Sequence, residues 1–156
     1  MSLPPGELNP RGQNDLNLIL TIREPVPDHY LALKHIVSEL KADSMNAIGT
    51  VHFGRFFFLN EVSNASGSYF LTLAFIATFD GSFDTYVQQF VNKLSEEFDA
   101  LLQHLVVPEG VVPVHKNAHA FQAYLESQRV PSAQWYGNYP TLTAVQIRAN
   151  ADAAGA

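Results

Sequence analysis

The stretch of residues 49–60, G-T-V-H-F-G-R-F-F-F-L-N, constrains the fold most, because as a β-strand it is largely apolar on both faces. Alternation places Val51 and Phe57 on one face, and Phe56 and Phe58 on the other. One layer of helices covers only one face of a sheet, so the other face needs a second partner. The sequence therefore predicts a homodimer that pairs through its sheets.

The remaining periodicities complete an α+β pattern. Further strands are predicted at residues 15–22, at 69–79 after a turn at 61–68, and near 134–136. Helices are predicted at residues 28–42 and 82–104, with a short helix after Asn117 and a closing helix at 141–148. This order matches the ferredoxin-like split βαβ motif, in which a four-stranded antiparallel sheet carries two helices, here with extra C-terminal helices.

Length and composition predict one domain, at residues 14–150, between a flexible N-terminal arm at 1–13 and a disordered tail at 151–156. The absence of cysteine favours a reducing, cytoplasmic location. No apolar run is long enough to span a membrane. A net charge of -6 with scattered basic residues argues against a nucleic-acid partner.

Three motifs carry a resemblance to a known family. They are V-H-F-G-R-F at residues 51–56, T-F-D-G-S-F-D-T-Y at 78–86 and W-Y-G-N-Y-P at 135–140. They resemble a bacterial group of ferredoxin-like proteins in the dimeric α+β barrel superfamily. The resemblance implies a dimeric α+β barrel with a cavity. Because the superfamily includes heme-degrading and antibiotic-biosynthesis monooxygenases, chlorite dismutases and dye-decolorizing peroxidases, it also points towards oxidative chemistry, but it transfers no catalytic residue.

One branch of that superfamily is disfavoured by the sequence itself. The dye-decolorizing peroxidases carry a Gly-x-x-Asp-Gly motif with a distal aspartate. Here Asp80 and Gly81 are present, but Ala77 stands where the motif begins with glycine. This departure counts against a peroxidase.

Two residues of the second strand are candidates for a ligand site. His52 lies among phenylalanines, where it could ligate heme, act as a general base, or be a core histidine satisfied by one hydrogen bond. Arg55, three residues on, is predicted to face the opposite side of the strand. It is expected to pair with Asp80 or Asp84 near the start of the second long helix.

Aromatic residues near the C-terminus give a second candidate. Trp135 and Tyr136 could line a pocket for a flat ligand, or bury the last strand against its neighbours. Both interpretations stay open at this point.

A metal site is not predicted. His115 and His119 have the i, i+4 spacing that presents two imidazoles from one helix face, and His104 lies nearby in the sequence. If Asn117 caps the helix, however, His115 precedes it and the shared face is lost.

The sequence thus predicts a homodimer that binds a small apolar or aromatic molecule between its helices and its sheet. Under one interpretation the protein oxidises this molecule as a cofactor-light monooxygenase. The alternatives are a noncatalytic accessory or assembly module and a heme-binding, peroxidase-like protein. No cofactor is expected, although the heme-binding alternative leaves heme open, and no catalytic residue is assigned.

Overall fold

The computed structural model describes Asn9 and residues 12–155. Within these residues the chain forms an α+β fold in which three strands make one antiparallel sheet, in the order β1-β3-β2. The elements are β1 (Gln13–Thr21), α1 (Val26–Glu39), α2 (Ala42–Asn46), β2 (Val51–Asn64), β3 (Gly67–Asp80), α3 (Phe83–Leu102), a 3₁₀ turn (Val114–Lys116), α4 (Ala118–Ser127) and α5 (Ala144–Ala153).

Strand β1 forms because its apolar residues recur at period two. Leu16, Leu18 and Leu20 are all buried in the core. The strand pairs with β3 in unbroken register, from Gln13 opposite Asp80 to Thr21 opposite Thr72. The predicted first strand is therefore present, and it begins two residues earlier than expected.

Strands β2 and β3 form the predicted hairpin. Each strand has 14 residues, so the turn is far shorter than the sequence suggested. The side chain of Asn64 accepts a hydrogen bond from the Ser66 amide, and Gly67 adopts φ +130°, a conformation that favours glycine. Near its start, β2 has a register shift between Val51 and Phe53.

The apolar side of α3 packs on the sheet. Ser82 caps α3 as predicted, since its hydroxyl accepts from the Thr85 amide at 3.2 Å. The Tyr86 ring stacks on Phe79 with 4.4 Å between centroids, and Phe90 meets Tyr86 edge-on at 4.6 Å. These aromatic contacts place the core between the helices and one face of the sheet.

The predicted four-stranded sheet is wrong, because the described sheet has three strands. No strand forms near residues 134–136. Backbone groups of residues 128–130 instead line the edge of β1 through one isolated bridge, between Leu18 and Arg129. Val130 donates its amide hydrogen to the carbonyl of Asn17, and residues 131–136 that follow are not in a strand.

The helices differ from the predictions mainly at their ends. The predicted first helix ends three residues early, at Glu39, because the chain is extended at Leu40 and Lys41, and a short helix α2 that was not predicted follows. The closing helix α5 runs to Ala153, past the predicted domain end. Most of the predicted N-terminal arm lies outside the described residues. Among the residues described, no helix has both the length and the apolar character needed to cross a bilayer.

Candidate functional site

His52 binds a buried carboxylate at the end of the sheet. Its Nε2–H donates to Oδ1 of Asp80 at 2.5 Å, and the two side chains are only 11% and 7% exposed. The other oxygen of Asp80 accepts from the amide of Ala144, the first residue of α5, at 2.7 Å. One carboxylate therefore joins β2, β3 and α5.

The register shift near the start of β2 changes which residues share a face. Asp80 and Thr78 lie on one face of β3, and Thr78 is paired with Phe53. His52 is the extra residue in this register shift. Its side chain therefore reaches Asp80, which lies on the same face of the sheet as Phe53 and Arg55. The prediction that His52 and Arg55 face opposite sides assumed strict alternation, which the bulge interrupts.

The His52–Asp80 contact fits a structural role. A carboxylate that holds an imidazole in one orientation is part of many general-base sites. In the described structure, however, the only side-chain hydrogen-bond partner of His52 is Asp80, and no hydroxyl nucleophile contacts the ring. The pair also holds the N-terminus of α5, where Thr143 supplies a capping box.

Arg55 does not pair with either predicted acid. Its guanidinium carbon lies 5.8 Å from the centroid of the Phe57 ring, two residues along the same face. Asp80 is occupied by His52, and Asp84 accepts from the side-chain amide of Gln122. The expected ion pair is therefore wrong, and Arg55 keeps its charge exposed.

Trp135 and Tyr136 lie in the irregular connection between α4 and α5. Trp135 is half-buried, whereas Tyr136 is 73% exposed and its hydroxyl donates to Oδ1 of Asn138 at 3.3 Å. Arg55 is among the lining residues of an open cleft between α1, α2 and β2, and neither Trp135 nor Tyr136 lines that cleft. The four residues predicted for one ligand site are thus not all brought together.

An open cleft of about 330 Å³ lies between the α1–α2 corner and the outer strand β2. Its walls are mostly apolar, and its two charged residues are both basic. The lining residues are Val37, Leu40, Lys41, Ala42, Met45, Gly54, Arg55, Phe56 and Phe75.

The floor of this cleft is aromatic and close-packed. Phe56 and Phe75 are cross-strand neighbours with 4.7 Å between ring centroids. A Cβ atom added at Gly54 would lie 3.2 Å from the Phe75 ring and 3.7 Å from Cε of Met45. The absence of a side chain at Gly54 therefore keeps this part of the cleft open.

The break between α1 and α2 supplies one of the two cations. Leu40 and Lys41 have extended backbone angles, so the chain turns a corner there and Lys41 becomes a lining residue. The helical periodicity that predicted one continuous helix missed this corner. The signal that could have located it is the pair Met45 and Ile48, which restarts an i, i+3 apolar pattern after the polar residues of α2.

A second cleft, of about 280 Å³, lies between the start of α1 and the β2–β3 turn. It contains no charged residue in its described lining, so of these two clefts the first combines apolar walls with basic residues. Its lining residues are Pro27, Tyr30, Leu31, Asn64, Ser66, Gly67, Ser68 and Tyr69.

The residues of the first cleft do not fit heme. An axial ligand to heme iron in proteins is usually histidine, cysteine, methionine or tyrosine, and the cleft offers only the thioether of Met45. His52, which the sequence offers as one candidate axial ligand, is outside the cleft and contacts Asp80. No chemistry through heme is therefore derived for this cleft.

The three histidines considered for metal binding do not form a site. In the described part of the chain, no three side chains of ligating type lie close enough together to hold an ion. His104 instead contacts His29 of α1, with 2.9 Å between their Nδ1 atoms, so that one Nδ1–H donates to the other ring. This contact joins the start of α1 to the end of α3.

The His29–His104 contact predicts a pH-dependent stability. The pKa of His104 lies below its usual 6.5. Burial has the largest effect, and the nearby His29 and then Arg23 lower it further. Because the unfolded chain then binds the proton more readily, the stabilisation is complete above about pH 6.5 and is lost as the pH falls below it. We expect His104→Gln to reduce the difference in free energy of unfolding between about pH 7.5 and about pH 5.5, measured by urea denaturation.

The matched control for this measurement is His115→Gln, in the exposed 3₁₀ turn. It should leave the pH dependence as in the wild type. An unchanged pH dependence in His104→Gln would contradict the assignment.

Comparison with known proteins places the chain in no family. No protein-family model matches the sequence, and no curated protein or solved structure matches it. The resemblance to the dimeric α+β barrel superfamily stays a prediction based on three motifs.

Proposed function

We propose that the protein binds a small apolar or aromatic molecule with an anionic group, in the cleft between α1, α2 and β2. One observation carries the proposal: in the described structure the charged residues that line this otherwise apolar cleft are both basic, and Lys41 belongs to the α1–α2 corner that forms one of its walls. A ligand with an apolar body and a carboxylate or similar group matches both features.

The size of the cleft supports a small ligand. Its volume of about 330 Å³ is at the lower end of the roughly 300–1,000 Å³ typical of ligand sites. The neighbouring rings of Phe56 and Phe75, tilted by 34° to each other, offer an apolar aromatic surface, and Met45 offers a side chain that adapts to different shapes. A single aromatic ring system or a short acyl chain is therefore the expected body of the ligand.

The charge of the cleft supports an anionic group. The whole chain has a net charge of -6, so its average field repels anions. Glu39 and Asp43 flank Lys41 in sequence, but neither lines the cleft. Lys41 supplies the positive charge for such a group, whereas the guanidinium of Arg55 lies over the Phe57 ring, on the other face of β2 from Gly54 and Phe56.

The proposal is for binding and not for turnover. Lys41 and Arg55 are the only ionisable groups that line the cleft, so it contains no acid–base pair. His52 and Asp80 lie outside it and bind each other. No residue that lines this cleft therefore supports the interpretation that the protein oxidises its ligand.

Two matched fluorescent probes test the proposal. 1-Anilinonaphthalene-8-sulfonate has an aromatic body and a negative charge, whereas N-phenyl-1-naphthylamine has nearly the same body without the charge. We expect the folded protein to bind the sulfonate one-to-one and more tightly than the neutral probe. Lys41→Glu should weaken binding of the sulfonate about tenfold and leave the neutral probe almost unaffected, because only the former loses an ion pair.

The control for charge alone is Lys34→Glu, on the exposed side of α1 and outside the cleft. It changes the net charge of the protein equally and should leave both affinities within about twofold. Equal weakening by Lys34→Glu and Lys41→Glu would mean that the sulfonate responds to net charge, and the proposal would fail.

A further inference from the structure

The outer edge of the sheet is open along β2. In the described structure β2 pairs only with β3, so the outward amide and carbonyl groups of this 14-residue strand have no ladder partner. The opposite edge, on β1, is covered by residues 104–106 and 128–130. One edge is therefore protected by the chain itself, and the other is not.

Strand β2 also has few of the features that block pairing with another strand. It contains no proline and no lysine, and its register shift lies near one end. Asn60 has a φ of 65°, but the register with β3 is the same at Leu59 before it and at Glu61 after it. Phe53 is 52% exposed and Leu59 is 36% exposed, on the same face as the half-buried Phe57. A long, open and partly apolar edge is a template for another strand.

Two charges on that face suggest which strand fits. Arg55 and Glu61 have no ion-pair partner in the described structure. They are six residues apart, or about 20 Å along a strand, so they cannot reach each other within one chain. Arg55 lies three residues before Phe58 and Glu61 lies three residues after it, and Phe57 and Leu59 stand between the two charges. This symmetric arrangement is self-complementary.

We propose that two copies of the chain associate edge to edge through antiparallel pairing of β2 with β2, with the two-fold axis at Phe58. In this register Arg55 of each chain lies opposite Glu61 of the partner subunit, and Phe57 of each chain lies opposite Leu59 of the partner subunit. Each pair therefore occurs twice in the dimer. The two three-stranded sheets then form one continuous six-stranded sheet. The partner is a second copy of this chain.

The charges select this register over its neighbours. Two-fold symmetry requires that paired positions be separated by an even number of residues, so the nearest alternatives shift each pairing by two residues. One alternative places Arg55 opposite Leu59 and Glu61 opposite Phe53. The other places Arg55 opposite Ser63 and Glu61 opposite Phe57. Only the proposed register brings opposite charges together and leaves the apolar pairs intact.

Charge reversal tests the register directly. The mass in solution is measured by sedimentation velocity over a series of protein concentrations up to about 100 µM. We expect the wild type to reach twice its 17.3 kDa chain mass. Glu61→Arg and Arg55→Glu should each raise the dimer dissociation constant about tenfold or more, because each places like charges opposite one another. The double variant R55E/E61R restores the pairs and should return to within about threefold of the wild type.

The control is Glu96→Arg, on the exposed side of α3, which makes the same charge change elsewhere and should not alter the dissociation constant. Thermal melting followed by circular dichroism verifies that each variant folds. A monomeric wild type, or a double variant as weak as the single variants, would overturn the proposal. Glu61 does not line the ligand cleft and the readout is mass, so failure here is separate from failure of ligand binding.

Discussion

Asp80→Ala is expected to lower the free energy of unfolding by about 3 kcal/mol, one of the two largest effects that this structure predicts. The substitution removes the acceptor of His52 and leaves a nearly buried imidazole without its partner. It also removes the acceptor of the Ala144 amide at the start of α5. Urea denaturation of the variant and the wild type at neutral pH measures the difference.

The matched variant is Asp80→Asn, which keeps one oxygen acceptor and nearly the same shape. It should retain the bond to Ala144 and cost less than Asp80→Ala. Hydrogen exchange adds a local readout, because amides of α5 should exchange faster in Asp80→Ala while those of β1 remain protected. An Asp80→Ala variant as stable as the wild type would show that the carboxylate does not join the three elements.

Gly54→Leu is expected to have the largest effect on ligand binding, with a loss of at least tenfold in affinity for both fluorescent probes. The new side chain would occupy the space between Phe75 and Met45 that the absent Cβ leaves open. Gly54 lies in an exposed outer strand and does not have a positive φ, so leucine is compatible with its backbone. Titration of both probes against the variant measures the loss.

Two further variants separate filling of the cleft from other effects. Gly54→Ala adds only a Cβ atom, 3.2 Å from the Phe75 ring, and should give an intermediate loss. Ser63→Leu adds the same bulk on β2 outside the cleft and should leave binding unchanged. Full affinity in Gly54→Leu would place the probes elsewhere on the protein.

The parts of the fold that could be predicted from the sequence are those with local signals. Period-two alternation located β1, and the polar turn between two apolar runs located the β2–β3 hairpin. Ser82 marked the start of α3 because a serine before an apolar helical pattern satisfies the first free amides. In each of these cases the interaction lies within a few residues of the signal.

The errors come from interactions between distant segments. Aromatic residues near Trp135 suggested a fourth strand, but the backbone of residues 128–130 contacts the β1 edge instead, and residues 131–136 are not in a strand. The orientation of His52 depends on a bulge that the pattern of residues does not reveal.

The candidate site could be predicted only in part. Of the four proposed residues, Arg55 alone lines the first cleft. The other cation, Lys41, was missed because it was assigned to the outer face of the predicted helix at residues 28–42, where a charged residue normally indicates a solvated face. The corner between α1 and α2 results from packing of Met45 and Ile48 on the core, which requires the three-dimensional structure.

The measurement that tests the cleft most directly is a carbon-13 NMR titration of the Met45 methyl group with 1-anilinonaphthalene-8-sulfonate. The chain has two methionines, and a Met45→Leu variant assigns the resonance. Because Cε of Met45 lies beside Gly54 in the cleft, its resonance should shift and saturate at one equivalent of probe. An unshifted Met45 methyl at saturating probe, together with perturbation of the Trp135 indole signal, would contradict the proposed site.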